Sequence, residues 1–176
     1  GNCPDRYTLT RTWTATDSCG NSSSKTQIVT VQDTTKPVLS AAPADTTVNC
    51  DAIPSAAVLT ATDNCSNPLV TYNEVKTNGN CPDRYTLTRT WTATDSCGNA
   101  SSKTQIVTVQ DTTKPVLSAA PADTTVNCDA IPAAAELTAT DNCSNPNITF
   151  SEVKTNGNCP DRYTLTRTWT ATDSCG

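Results

Sequence analysis

Threonine alternates with a mostly hydrophobic set of residues over Tyr85 to Asp95, Tyr-Thr-Leu-Thr-Arg-Thr-Trp-Thr-Ala-Thr-Asp. Threonine takes every second position, and Tyr85, Leu87, Trp91 and Ala93 share the other face. A period of two over eleven residues predicts a half-buried strand. Gly98-Asn99 marks a turn, and Thr104 to Gln110 reads as the returning strand through Ile106, Val107 and Val109. Shorter strands are predicted at Thr46–Asn49, Ala57–Asp63 and Leu69–Val75. The turn chemistry of Asp51-Ala52-Ile53-Pro54 and Ser66-Asn67-Pro68 separates them. No segment has helical periodicity with caps. About seven short strands in fewer than 80 residues is the pattern of an all-β sandwich.

The same pattern occurs three times. Asn2-Cys3-Pro4-Asp5-Arg6-Tyr7 returns from Asn80 and from Asn158, an offset of 78 each time. Residues 1–20, 79–98 and 157–176 are identical, and the later halves differ at few positions, such as Ser55/Ala133, Val58/Glu136, Leu69/Asn147 and Tyr72/Phe150. Solenoid repeats are shorter and cannot stand alone, whereas this length suffices for a small core of its own. Asp33-Thr34-Thr35-Lys36-Pro37 reads as a linker, because proline cannot continue a ladder and stiffens a junction. The chain therefore divides into the C-terminal part of a repeat (1–32), a complete repeat (33–110) and a further repeat short of its last strand (111–176). Opening and closing inside repeats, it is expected to continue in both directions.

Composition shows what such a unit lacks. Hydrophobic residues are 35% of the chain, with one Phe, three Trp and no Met or His, against ten Cys. A sparse core calls for covalent help, and no pair of cysteines has the Cys-x-x-Cys spacing of a zinc or redox site. Disulfides, and an oxidising compartment, are the expectation. Alternating strand direction puts Cys50 and Cys81 at one end of a repeat and Cys65 and Cys97 at the other. Cys81 and Cys97 bracket a strand and should stand about 35 Å apart, too far for a bond. The expected pairs are Cys50–Cys81, Cys65–Cys97, Cys128–Cys159 and Cys143–Cys175, with Cys3 and Cys19 unpaired. Adjacent pairing, which would leave no orphan, is the alternative.

A formal net charge of −5 repels phosphate backbones, which argues against nucleic acid as a partner. No run of about 18 apolar residues occurs, so no membrane span is expected.

Three motifs together carry a resemblance. Asp33-Thr34-Thr35-Lys36-Pro37-Val38-Leu39 comes first, then Thr60-Ala61-Thr62-Asp63-Asn64-Cys65, then Tyr85-Thr86-Leu87-Thr88 with Thr92-Ala93-Thr94-Asp95-Ser96-Cys97-Gly98-Asn99. The chain resembles hyalin-repeat (HYR-like) domains, which are immunoglobulin-like modules, over essentially its whole length. The four-cysteine versions are similar to those arrayed in giant adhesins of the Bacteroidota cell surface, linked with gliding motility and type IX secretion. The resemblance implies tandem immunoglobulin-like β-sandwich repeats, disulfide-stapled and extracellular.

Candidate chemistry is thin. Histidine is absent, and no Gly-x-Ser-x-Gly or phosphate loop occurs, so no enzyme and no cofactor are expected. Asp63, Asp95 and Asp111 could offer oxygen to calcium, but turn capping is the favoured reading. Arg89 shares a face with Leu87 and Trp91 and is expected to stack on the indole or snorkel at the sheet edge. Asn21, Asn99 and Asn147 head N-glycosylation sequons. Thr34, Thr46, Thr112 and Thr124 follow Asp in a pattern similar to Bacteroidota O-glycosylation. The threonine face of the long strand is a candidate glycan or ice surface, although Thr is also simply a good strand residue. The favoured function is a stalk or filament shaft whose partners are neighbouring repeats. With the expected pairs, only Gly98 to Asn127 would lengthen under tension in each period. Repeats that bind surface glycans by avidity, or identical chains joined laterally in a fibre, are the alternatives.

Overall fold

The computed structural model describes residues 3–176, and every regular element in them is a β-strand. The first hairpin is β1 (Tyr7–Thr16) with β2 (Ser22–Val31), antiparallel from Tyr7↔Val31 to Thr16↔Ser22. The middle repeat holds six strands: β3 (Val38–Leu39), β4 (Thr46–Asn49), β5 (Ala61–Thr62), β6 (Leu69–Asn78), β7 (Tyr85–Thr94) and β8 (Ala100–Gln110). Then follow β9 (Val116–Leu117), β10 (Ala139–Thr140), β11 (Asn147–Asn156) and β12 (Tyr163–Thr172).

In the middle repeat, β3 pairs antiparallel with β5, and the other sheet runs β4-β8-β7-β6. β4 is parallel to β8, from Thr46↔Val107 to Asn49↔Gln110. The period of two acts as the sequence predicts. Leu87, Arg89, Trp91 and Ala93 of β7 are buried, while the threonines between them stay half-buried. The β3–β5 layer closes over that inward face. Leu39, Leu59, Trp91 and Ala93 form one cluster, with Ala42, Ala56, Ala57, Ala61 and Val70 packed against it. Leu87, Val107 and Val109 form a second, against Val48, Cys50 and Tyr85. This is the two-layer immunoglobulin-like sandwich in a small format.

Some elements depart from expectation. The strand expected over Ala57–Asp63 shrinks to Ala61–Thr62. Alanines and Leu59 ahead of it pack into the core without a ladder, and two bonds extend the pairing, from Ser40 N to the Thr60 carbonyl (2.8 Å) and from Thr60 N to Ser40 Oγ (3.1 Å). The return strand begins four residues early, at Ala100, where Ser101 donates to the Pro37 carbonyl.

The contacts divide the chain into two compact units. One takes residues 1–45, 55–75 and 88–106, and the other 46–54, 76–87 and 107–176. Neither coincides with a 78-residue repeat, because each draws on two successive copies.

Candidate functional site

Among the described residues the distinctive chemistry lies in the cysteines, each held in a short turn. After β7, Asp95 closes the turn that bears Cys97. Its Oδ1 accepts from the Cys97 amide (2.8 Å) and the Asn99 amide (2.9 Å), and its Oδ2 accepts from Asn99 Nδ2 (2.8 Å). Gly98 takes φ +91° there, a left-handed position that favours glycine. Burial alone would raise the Asp95 pKa, but the hydrogen bonds from Asn99, Cys97 and Gly98 hold it below the ordinary carboxylate value. Asp17 builds the same turn around Cys19. Asp63 caps the Cys65 and Ser66 amides, and Asp141 caps those of Cys143 and Ser144. Between β6 and β7 the Gly79 amide donates to the Arg84 carbonyl (2.7 Å), and Arg84 N donates to the Cys81 carbonyl (3.1 Å). A Cβ on Gly79 would lie 2.4 Å from that Arg84 oxygen, so glycine is required by space.

The disulfides are Cys3–Cys97, Cys50–Cys143 and Cys81–Cys175, with Cα–Cα distances of 4.3, 5.8 and 5.2 Å. None of the expected pairs forms. Cys50–Cys81 is replaced by bonds to Cys143 and Cys175. Cys65–Cys97 gives way to a bond from Cys97 to Cys3 that leaves Cys65 free, and Cys143–Cys175 gives way to the bonds with Cys50 and Cys81. Cys128–Cys159 is absent, and Cys19, Cys65, Cys128 and Cys159 are free and exposed. Cys3, expected to be an orphan, is bonded, while Cys19 is free as expected. The reason lies in the separations of 94, 93 and 94 residues, which all exceed the repeat length. Each bond joins a cysteine at one end of a repeat to the opposite end of the next copy, so a search confined to one repeat cannot find it. The rejection of adjacent pairs holds: Cys81 and Cys97 are not bonded to each other.

Polar contacts repeat beside these bridges. Ser96 Oγ donates to Asp5 Oδ2 (3.3 Å) next to Cys3–Cys97, and Ser174 Oγ donates to Asp83 next to Cys81–Cys175. Near Cys50–Cys143, Asn49 Nδ2 donates to Thr113 Oγ1 (3.3 Å). Sequence reasoning missed these. Their only signal was that Asp5 and Ser96 recur with the period at Asp83 and Ser174.

The candidate calcium ligands serve as caps, yet one oxygen of several is left over. Asp33 Oδ1 accepts from Thr35 N (2.9 Å), while Asp33 Oδ2 and Asp63 Oδ1 are buried with no hydrogen bond. Asp33 lies within 4.8 Å of Asp63 and Cys65, and of Asp95 and Cys97, by their ligand atoms. Asp111, Asp141 and Cys143 repeat the grouping, with Asp111 Oδ2 and Asp141 Oδ2 likewise unsatisfied. Cys97 and Cys143 are already disulfide-bonded, which leaves carboxylates as the hard donors that calcium would take.

Arg89 corrects its expectation. It does not snorkel at the sheet edge: only 4% exposed, it donates through Nε to Glu74 Oε2 (2.8 Å) and through Nη1 to Gln105 Oε1 (3.4 Å). Trp91 donates to the Ala57 carbonyl (2.9 Å) and packs at a tilt on Tyr72. Arg89 and then Tyr72, both bonded to Glu74, hold its carboxyl below the usual range. Of the sequon residues, Asn21 and Asn147 are exposed. Asn99 Nδ2 is engaged by Asp95 and the Asp33 carbonyl, bonds that a glycan on that nitrogen would break. Thr34, Thr112 and Thr124 are exposed, and Thr46 lies half-buried in β4. On the threonine face, Thr92 Oγ1 is hydrogen-bonded to Ser102 Oγ (3.0 Å).

Fold and bridges together define a disulfide-bonded, immunoglobulin-like β-sandwich repeat. Residues 38–109 match the family described as HYR-like domain with 4 cysteines. That span holds Cys50, Cys65, Cys81 and Cys97, and residues 116–176 repeat its sequence with few changes. No curated protein matches the chain. An HYR-like repeat bearing disulfides fits an extracellular module. No helix among the described residues is long and apolar enough to cross a membrane.

Proposed function

We propose that the chain is part of an extracellular stalk or filament, whose repeats supply length and resist force and proteolysis rather than catalyse a reaction. The observation that carries this reading is the bond separation of 93 or 94 residues. A bridge longer than the repeat ties one copy to the next and adds a covalent route for load beside the backbone. From Cys3 the route crosses to Cys97, runs back along β7 to Cys81 and crosses to Cys175. This replaces the release of Gly98 to Asn127 in each period: those residues lie off the short route. The setting suggested by the resemblance is a Bacteroidota surface adhesin, and the partners in this reading are the neighbouring repeats. Stretching single chains with and without reductant is the test.

A further inference from the structure

Every free cysteine has a bonded counterpart one or two repeats away. Cys19 corresponds to Cys97 and Cys175, Cys65 to Cys143, Cys128 to Cys50, and Cys159 to Cys81 and Cys3. The free ones are presented as the bonded ones are. Arg162 N meets the Cys159 carbonyl at 3.1 Å, as Arg84 N meets that of Cys81. Ala130 N meets the Asn127 carbonyl at 3.0 Å, as Ala52 N meets that of Asn49. The Cys19 amide lies 2.9 Å from its capping aspartate and the Cys97 amide 2.8 Å. For Cys65 and Cys143 the distances are 3.0 and 2.9 Å. Free and bonded cysteines share these backbone contacts and nearly the same flanking sequence, although the free ones are exposed and no strand leads into Cys128 as β4 leads into Cys50. They differ in whether the cysteine 93 or 94 residues away belongs to this sequence.

We propose that Cys128 with Cys159, and Cys65 with Cys19, are the two faces of a covalent docking site for a further repeat of this same sequence. On one side Cys128 takes the added repeat's counterpart of Cys65, and Cys159 takes the counterpart of Cys97. On the other, Cys65 takes a counterpart of Cys50, and Cys19 a counterpart of Cys81. The polar contacts beside the existing bridges have their donors and acceptors ready, with Asp161 in the place of Asp83 and Ser18 in the place of Ser96. Each bond forms as two thiols lose two protons and two electrons. A small-molecule disulfide accepts them by exchange and leaves as two thiols. The inference rests on the reading that bridges join successive repeats and extends it to a rule: each added copy locks onto the last at two points.

The experiment appends a second copy of residues 21–98 after Gly176, which continues the period, and folds parent and extended chains in a glutathione redox buffer. Both are trapped with N-ethylmaleimide in denaturant without reductant, then digested. The peptide bearing Cys128 differs from its counterpart around Cys50, so its state is read without ambiguity. In the parent, Cys128 is labelled. In the extended chain its label falls to near zero, and the unreduced digest links it to the added counterpart of Cys65. Serine at that counterpart restores the label. Cys128 still labelled in the extended chain, or bonded to any other cysteine, overturns the docking rule alone when the parent digest holds Cys50–Cys143. A parent digest without Cys50–Cys143 overturns the rule and the reading beneath it together.

Discussion

Stretching the chain from its ends separates the possible pairings by length. A backbone extends by about 3.5 Å per residue at most. With Cys3–Cys97 and Cys81–Cys175 in place, the shortest covalent route between Cys3 and Cys175 contains only the roughly 16 residues between Cys81 and Cys97, or about 55 Å. The two bridges add Cα–Cα spans of 4.3 and 5.2 Å. Full extension is therefore about 65 Å, and reduction should release it to about 600 Å. Pairing within each repeat would leave roughly 108 residues on the route and a limit of about 380 Å. Optical-trap extension at forces that unfold the sandwiches, with and without reductant, reads these values directly. An oxidised length near 380 Å would refute cross-repeat bonding. Equal lengths with and without reductant would refute any load-bearing disulfide.

Four further results are expected. Trapping thiols in denaturant without reduction should count four per chain, at Cys19, Cys65, Cys128 and Cys159; pairing within repeats would leave Cys3 and Cys19 alone. Trp91→Ala should cost about 3–5 kcal/mol in chemical denaturation, whereas Trp13→Ala, at a site 58% exposed, should stay within about 0.5 kcal/mol; equal losses would show that identical strands are not packed differently. Asp63→Asn keeps an oxygen for the Cys65 amide and turns an N–H donor toward the unsatisfied Asp33 Oδ2, so it should raise stability by about 1 kcal/mol in the presence of a chelator. A loss that appears only when calcium is supplied would show instead that the carboxylates bind the ion. Glu74 and Asp95 have depressed pKa values in the fold, so their contribution is complete above the ordinary values of 4.5 and 3.8 and is lost as pH falls through the lower folded values. Melting temperature should be level from neutral pH to about 5 and then drop, and Glu74→Gln should melt lower at neutral pH and show a shallower acid limb.

The strands were legible because alternation is a local property. β4 and the start and near-end of β7 fall where Thr46–Asn49 and Tyr85–Asp95 predict them. What needs a partner was not legible. Thr124–Asn127 has the sequence of β4, Thr-Thr-Val-Asn, yet forms no strand. β4 exists by its parallel ladder to Val107–Gln110 of β8, and no return strand follows β12 in this sequence. The same dependence sets burial: Trp91 is 1% exposed beneath the β3–β5 layer, and Trp13 on its two-stranded hairpin 58%. Arg89 could be placed on the inward face by its period, but its partner Glu74 lies on another strand, and nothing in the local pattern names it. The pairing of cysteines failed for a related reason. Strand direction put Cys50 with Cys81 and Cys65 with Cys97 at common ends, and both members of each couple do fall in one compact unit. Direction gave no hint that the next copy brings its own cysteines to the same place.

Magnitudes say which benefit the cross-repeat arrangement serves. By the chain-entropy argument, closing a loop of about 94 residues stabilises a fold by roughly 4.7 kcal/mol, against roughly 3.7 for a loop of about 31. Choosing the next repeat over the same one thus adds only about 1 kcal/mol per bond. That gain is modest beside a typical domain stability of about 5–15 kcal/mol, and it shrinks when crossed loops share segments. The mechanical difference is nearly sixfold, about 65 Å against about 380 Å of reach. Cys50–Cys143 ties the same two successive copies at a further point, although Cys128 is free, so that bond shortens no route between Cys3 and Cys175 in this sequence. A cross-link chosen for folding stability gains little by reaching past its own repeat, whereas one chosen to limit extension gains most of its effect there.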